Sequence, residues 1–271
     1  MRNKSIGIFD SGFGGLEILR EIVKILPEYS YVYFGDNANA PYGNRSQKII
    51  YNLTQKATKL LFSKNCQLII LACNTASSKA LRKIQRHYLP KYYPDKKILG
   101  VIIPICQQAI TVTKNNKIGV LATQSTVSSK VFIRKLCNLN PKIKVFQKSC
   151  PLLVPIVEAG EENTKITSIL LRKYLAPLTN KNIDTLILGC THYGLLENKI
   201  KKIAGKKIKV ISEGKIAAEK LKNYLTNHPE IEEALKKNHK IKFLTTGASK
   251  KFKTLGSRFF GQPISPEKIR Y

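Results

Sequence analysis

The 271-residue sequence has no tryptophan, one methionine and few acidic residues, with 17 Asp plus Glu against 47 Lys plus Arg. Its longest apolar runs are about as long as a β-strand, so no run can span a bilayer and no membrane partner is expected. No charged-then-apolar signal segment opens the chain, which predicts a cytoplasmic protein. Hydrophobic residues make up 43% of the sequence, which indicates a folded chain rather than a disordered one.

The six cysteines form no CxxC pair and have no zinc-finger spacing. In a cytoplasmic chain of this length, this arrangement predicts free thiols rather than disulfides. No cysteine and histidine residues cluster with the spacing of metal ligands, so no metal site is expected.

The formal net charge of +30 is of a size that often marks a nucleic-acid binder. However, the lysines are scattered, and the densest groups, 199–207 and 236–240, contain no aromatic residues that could stack on bases. The charge therefore indicates a solvated basic surface, which brings weak, salt-sensitive and non-specific polyanion binding with it.

Short apolar runs typical of strands alternate with stretches of helical spacing along the whole chain. The expected strands are Ser5–Phe9, Tyr31–Phe34, Leu68–Ala72, Ile98–Ile102, Lys117–Leu121, Ile143–Phe146, Thr185–Leu188, Ile208–Ile211 and Ile241–Leu244. This alternation predicts an α/β fold with mostly parallel sheets. In such sheets, ligands bind beyond the carboxyl ends of the strands.

The chain also contains a weak internal sequence repeat. The segment 4–10 resembles the segment 117–123, and each lies about 70 residues before a cysteine that follows a strand. This repeat predicts two related α/β halves. We expect a first domain made of 1–97 plus 208–271, which is discontinuous, and a second domain made of 98–207.

Those two cysteines are the strongest functional signal in the sequence. Cys73 follows the strand that ends at Ala72, and Cys190 follows the strand that ends near Gly189. Two thiols that face each other can remove a proton from one side of a carbon and return one to the other side. At the start of a helix, the helix dipole and free amides favour the thiolate, so we expect lowered thiol pKa values here.

His192 lies two residues beyond Cys190 and is a plausible proton partner for that thiol. A nucleophilic cysteine–histidine hydrolase is an alternative, but it would leave the segment around Cys73 without a role.

Five segments together resemble the glutamate racemases of the cofactor-independent aspartate/glutamate racemase superfamily. They are 7–16 (GIFDSGFGGL), 41–43 (PYG), 72–77 (ACNTAS), 119–123 (GVLAT) with Thr126, and 189–193 (GCTHY). The resemblance runs from about Ile6 to Phe260. It implies two pseudo-symmetric α/β domains with the active site in the cleft between them.

The resemblance also implies a reaction, which is racemisation of L-glutamate to D-glutamate for peptidoglycan biosynthesis without a cofactor. Glutamate is then the small-molecule partner, and a homodimer is left open. The implied catalytic residues are Cys73, Cys190, Asp10, His192 and Glu158. The implied substrate-binding residues are Asp10, Ser11, Tyr42, Gly43, Asn74, Thr75, Thr123, Thr126, Thr191 and His192.

The sequence alone leaves two alternative functions open. One is a racemase of another acidic amino acid, namely aspartate, and the other is a non-catalytic polyanion-binding protein on the same scaffold. Asn39, Gly194 and Ser212 depart from common family versions, but none of them removes an implied catalytic group.

Overall fold

Strand and helix alternate along residues 3–270, which are the residues that the computed structural model describes. The strands are β1 Ser5–Asp10, β2 Tyr31–Gly35, β3 Cys66–Leu71, β4 Lys97–Gly100, β5 Lys117–Ala122, β6 Lys144–Ser149, β7 Thr185–Gly189, β8 Lys209–Ile211, β9 Ile241–Thr245 and β10 Pro266–Lys268. All nine expected strands are present. The additional strand β10 was not expected because it is short, begins with proline and is mostly exposed.

Helices connect most of the strands. They are α1 Gly15–Ile25, α2 Gln47–Ser63, α3 Asn74–Lys79, α4 Leu81–Lys83, α5 Leu89–Tyr92, α6 Ile102–Val112, α7 Gln124–Ser128, α8 Val131–Leu139, α9 Leu153–Ala159, α10 Lys165–Thr179, α11 Glu197–Ala204, α12 Glu213–Thr226, α13 Pro229–Glu232 and α14 Ser249–Phe260. Shorter 3₁₀ turns cover Asn37–Asn39, Tyr42–Asn44 and Thr191–Leu196, and a π-helical turn covers Ile84–Tyr88. Among these described helices, none combines the length and the apolar character needed to cross a membrane.

The strands form two sheets in which every strand pairing is parallel. The larger sheet has the order β10-β9-β2-β1-β3-β4 and the smaller sheet has the order β6-β5-β7-β8. The order β2-β1-β3-β4 in the larger sheet is repeated as β6-β5-β7-β8 in the smaller one. The predicted fold of two similar α/β halves with parallel sheets is therefore confirmed.

Helix α1 packs against α12, and this contact joins elements that follow strands of different sheets. The apolar face of α1, with Leu19 and Ile22, lies in one buried cluster with Leu221 and Leu225 of α12. Both helices begin where a strand ends, so their packing fixes the two sets of strand ends relative to each other.

The expected division of the chain into domains stays a prediction, although sheet membership bears on its boundaries. Strand β4 spans the boundary at residue 97 and pairs with β3 in the larger sheet. Strand β8 follows the boundary at residue 207 but pairs with β7 in the smaller sheet. Judged by strand pairing, the chain passes from one half to the other a few residues later than expected at both boundaries.

Candidate active site

The two cysteines singled out in the sequence reach one cavity of about 340 Å³. Cys73 follows β3 and Cys190 follows β7, and these two strands occupy equivalent places in the two sheets. Their side chains are nearly buried, with 5% of Cys73 and 8% of Cys190 exposed. The duplicated strand order therefore supplies one thiol from each half of the molecule.

Most of the other residues implied for the site lie in the wall of this cavity. Those in the wall are Ser11, Tyr42, Gly43, Cys73, Asn74, Thr75, Thr123, Glu158, Cys190, Thr191 and His192. Asp10 and Thr126 are fully buried behind the wall and contact it through hydrogen bonds.

Residues that sequence reasoning did not place in the site also line the cavity. They include Phe13, Asn37, Cys150, Val154, Gly247, Lys251 and Phe252. Gly247 follows the carboxyl end of β9, so the strand-end rule that singled out Cys73 could have found it. Phe252 lies within α14, and its ring packs beside Gly35 at the end of β2, a contact that no local sequence pattern indicates.

On the Cys73 side, the sulfur lies 3.3 Å from the Ser11 hydroxyl oxygen. The buried carboxyl of Asp10 accepts a hydrogen bond from the Gly12 amide at 3.0 Å and one from the Thr191 hydroxyl at 3.4 Å. Because Thr191 follows Cys190, this last bond connects the end of β1 to the Cys190 segment.

The Cys190 side has different partners. The His192 ring nitrogen Nε2 lies 3.2 Å from the Glu158 carboxylate oxygen Oε1, and the ring packs edge-on against Phe259 at 5.4 Å between centroids. The His192 backbone amide acts to lower the pKa of the Cys190 thiol. The two thiols thus have different titratable groups beside them, a carboxyl near Cys73 and a histidine–carboxylate pair near Cys190.

Three threonine hydroxyls form a small cluster where the two halves meet. The Thr75 hydroxyl lies 3.0 Å from that of Thr123, and the Thr123 hydroxyl donates to Thr126 at 3.1 Å. Gly43 packs so closely against Thr123 that an added Cβ would lie 3.0 Å from the threonine Cβ. The cluster presents polar groups to the cavity, while Gly43 allows the loop to approach it.

The expectation of thiolate-favouring environments is wrong for the protein alone. Burial, with a smaller contribution from the Asp10 charge, raises the pKa of Cys73 to about 12, although the Ser11 hydroxyl and the Ala76 amide act in the opposite direction. Burial also raises the pKa of Cys190 well above its usual range, with Cys73 and Asp10 adding to the effect. The local hydrogen bonds are present as expected, but loss of solvation outweighs them.

The arrangement is two buried thiols at one cavity, with a carboxyl near Cys73 and a histidine–carboxylate pair near Cys190. Within residues 3–270, no three His, Cys, Asp or Glu side chains cluster in a way that could hold a metal ion.

Residues 6–221 match the family model described as Asp/Glu/Hydantoin racemase. The chain belongs to this racemase family. It is accordingly an enzyme of the isomerase class.

Individual members of the racemase family match over nearly the whole chain. A glutamate racemase from Bacillus cereus is 36% identical over 269 residues, which cover 99% of this chain and 97% of the relative. The crystal structure of a glutamate racemase isoform from Bacillus anthracis is similar with a TM-score of 0.91 at 35% identity, covering 100% of this chain and 98% of that one. The glutamate racemase from Francisella tularensis, crystallised in complex with D-glutamate, has a TM-score of 0.89 at 32% identity with the same coverage.

The raised thiol pKa predicts how this racemase reacts with iodoacetamide in the absence of an amino acid. Only the thiolate is alkylated, so labelling of Cys73 should be slow near pH 7 and should rise about tenfold per pH unit up to pH 9 without levelling off. Mass mapping of labelled peptides measures this rate. Cys137, the one cysteine that is not buried, is the internal reference and should be labelled first. A Cys73 rate that reaches its plateau below pH 9 would show that the thiol is more acidic than its burial implies.

Proposed function

We propose that this racemase interconverts L- and D-glutamate without a cofactor, with Cys73 and Cys190 as the two acid/base residues. The observation that carries the proposal is that both thiols line one cavity from equivalent strand ends of two sheets. Two bases on opposite sides of a bound Cα are what inversion at that carbon requires, since a proton must leave one face and arrive at the other.

In the proposed step, the thiolate of one cysteine takes the Cα proton, so an S–H bond forms as the C–H bond breaks. The electron pair left behind spreads onto the α-carboxylate, and the thiol of the other cysteine then gives its proton to the opposite face. After one turnover, thiol and thiolate have exchanged places. The direction of reaction therefore depends only on which cysteine begins as the thiolate.

The high thiol pKa values suit this chemistry in one respect and oppose it in another. A Cα–H beside a carboxylate is a very weak acid, and a thiolate with a raised pKa is a stronger base toward it. However, such a thiolate is rarely formed. We propose that Asp10 beside Cys73, and the His192–Glu158 pair beside Cys190, hold the proton that each thiol gives up. Burial raises the pKa of Asp10 and so makes it a better proton acceptor.

Hydroxyl and amide groups around the thiols support an amino acid as substrate. Ser11, Asn74, Thr75 and Thr191 all line the cavity and offer hydrogen-bond donors for carboxylate oxygens. We propose that these groups, together with Tyr42, Gly43, Thr123 and the Thr126 behind it, hold the substrate. Donors already in place stabilise the negative charge that develops during proton removal.

The substrate assignment predicts that L-glutamate is racemised at least about tenfold faster than L-aspartate, because one methylene changes discrimination by roughly 10- to 200-fold. Initial rates for both amino acids, followed by circular dichroism with purified protein, measure this ratio. The Cys73→Ala variant gives the background rate for each substrate. A faster rate with aspartate would overturn the assignment to glutamate and leave the reaction type intact.

The two-base step predicts that Cys73→Ala and Cys190→Ala each lose racemisation by at least about a hundredfold, which is the lower range for a positioned acid or base. Each variant should still exchange the Cα proton of one enantiomer with solvent, and the two variants should prefer opposite enantiomers. Chiral chromatography and proton NMR in D₂O separate the two readouts. Cys137→Ala, which removes a thiol that does not line the cavity, is the matched control and should behave as wild type. Near-normal racemisation by either active-site variant would rule out the two-base mechanism.

We also propose, from the resemblance to the racemase family, that the D-glutamate supplies peptidoglycan synthesis and that the enzyme acts in the cytoplasm. The question of a homodimer stays open.

Non-specific polyanion binding is the second candidate property, and one observation favours it. A cavity of about 730 Å³, away from the two thiols, is lined by seven cationic residues and by no Asp or Glu. The seven are Lys79, Arg82, Lys83, Arg86, Arg134, Lys135 and Lys220.

A further inference from the structure

A carboxyl group that the proposed reaction does not use, that of Glu213, lies beneath the candidate active site. Glu213 is the first residue of α12 and follows β8, and only 4% of it is exposed. It does not line the cavity, but it contacts a residue that does. The Asn74 side-chain nitrogen Nδ2 donates a hydrogen bond to Glu213 Oε2 at 2.8 Å.

This bond joins the two halves of the molecule. Asn74 follows Cys73 at the end of a strand in the larger sheet, whereas Glu213 follows a strand of the smaller sheet. The orientation of the Asn74 carboxamide in the cavity wall is thus set by a group from the opposite half.

The remaining oxygen on each side chain is buried and has no hydrogen-bond partner, namely Glu213 Oε1 and Asn74 Oδ1. If Glu213 were ionised, both atoms would be acceptors only, and neither could satisfy the other. Leaving a buried polar atom unpaired costs about 1–3 kcal/mol, and more for a charged group. A proton on Oε1 would turn it into the donor that Oδ1 lacks.

The surroundings of Glu213 favour that proton. Burial raises the pKa of the Glu213 carboxyl well above its usual range, and the charges of Asp10 and Glu17 raise it further, while the Asn74 hydrogen bond alone acts against this. The thiols of Cys106 on α6 and of Cys190 are also coupled to Glu213, and they offer no positive charge to a carboxylate there. The two groups whose charges act on Glu213, Asp10 and Glu17, are both carboxyls, so each of them disfavours the carboxylate form of Glu213.

We propose that Glu213 is a protonated positioning residue that holds the Asn74 carboxamide through two reciprocal hydrogen bonds, one from Asn74 Nδ2 to Oε2 and one from the Oε1 hydroxyl to Asn74 Oδ1. An amide nitrogen has two N–H donors, so one remains for a carboxylate oxygen of the substrate. The part of the inference that concerns substrate rests on the proposed function, because Asn74 acts there as a substrate contact.

Substitution by glutamine gives a sharp test, because its amide can replace the protonated acid in both bonds. Glu213→Gln should keep KM for glutamate within about twofold of wild type, since the Gln NH₂ donates to Asn74 Oδ1 as the acid would. Glu213→Leu, of similar size but without polar atoms, should raise KM by about tenfold, the equivalent of one lost hydrogen bond, with a smaller change in kcat. Steady-state racemisation of L-glutamate gives both parameters. A Glu213→Gln variant as impaired as Glu213→Leu would overturn the reciprocal pair.

A second measurement needs no activity and therefore separates this inference from the proposed function. The infrared difference spectrum of wild type minus Glu213→Gln at pH 7 should contain the carbonyl stretch of a protonated carboxylic acid. A carboxylate band in its place would overturn the proposal, even if Glu213→Leu fails to fold. Conversely, a wild-type protein that shows the protonated band but does not racemise glutamate would contradict the proposed function and leave the acid–amide pair standing.

The pH dependence of thermal stability is a further test of whether Glu213 is protonated in the folded protein. A carboxyl whose pKa is raised on folding binds a proton more tightly in the native state, so its contribution favours folding less as pH rises above its unfolded pKa. The melting temperature of Glu213→Gln relative to wild type should therefore rise between about pH 5 and about pH 8. A difference that stays constant over this range would mean that Glu213 ionises normally in the folded protein, which the proposal forbids.

Discussion

The burial of two thiols at one cavity is the constraint on which the rest of this structure depends. Cys73 and Cys190 are each more than nine-tenths buried, and burial raises the pKa of both thiols. A site of this kind makes the thiolate scarce but strongly basic. In the proposed mechanism, the groups packed around the thiols, Asp10 on one side and the His192–Glu158 pair on the other, are therefore as important as the sulfur atoms.

The duplicated strand order explains how two distant cysteines come together. Strands β3 and β7 occupy the same place in β2-β1-β3-β4 and in β6-β5-β7-β8, so the residue after each strand emerges at the carboxyl edge of its own sheet. The contact between α1 and α12 and the bond between Asn74 and Glu213 then connect the halves. The halves are alike in topology, but the groups beside the two thiols differ. The proposed mechanism therefore assigns different auxiliary groups to the two directions of proton transfer.

Much of this could be predicted from the sequence, because strand periodicity and the residues at strand ends are local signals. The nine expected strands and both cysteines were identified in this way, whereas Ser11, Asn74 and Thr191 were implied by the resemblance to the racemase family. The sequence could not predict the raised thiol pKa values, because burial arises from packing between segments far apart in the chain. The pairing of Glu213 with Asn74 across 139 residues was hidden for the same reason. The backbone amides near each thiol act to lower its pKa, as expected from the sequence. Burial by segments distant in the chain raises the pKa by more.

The most direct test of the two-base account follows wild-type protein with L-glutamate in D₂O at low conversion, using proton NMR for the Cα–H and chiral separation of the two enantiomers. If one cysteine removes the proton and the other returns one, the D-glutamate formed should carry deuterium at Cα from the first turnovers. The L-glutamate that remains should keep its protium. D-glutamate that retains the original protium, or equal early deuteration of both enantiomers, would show that a single base serves both faces and would contradict the account.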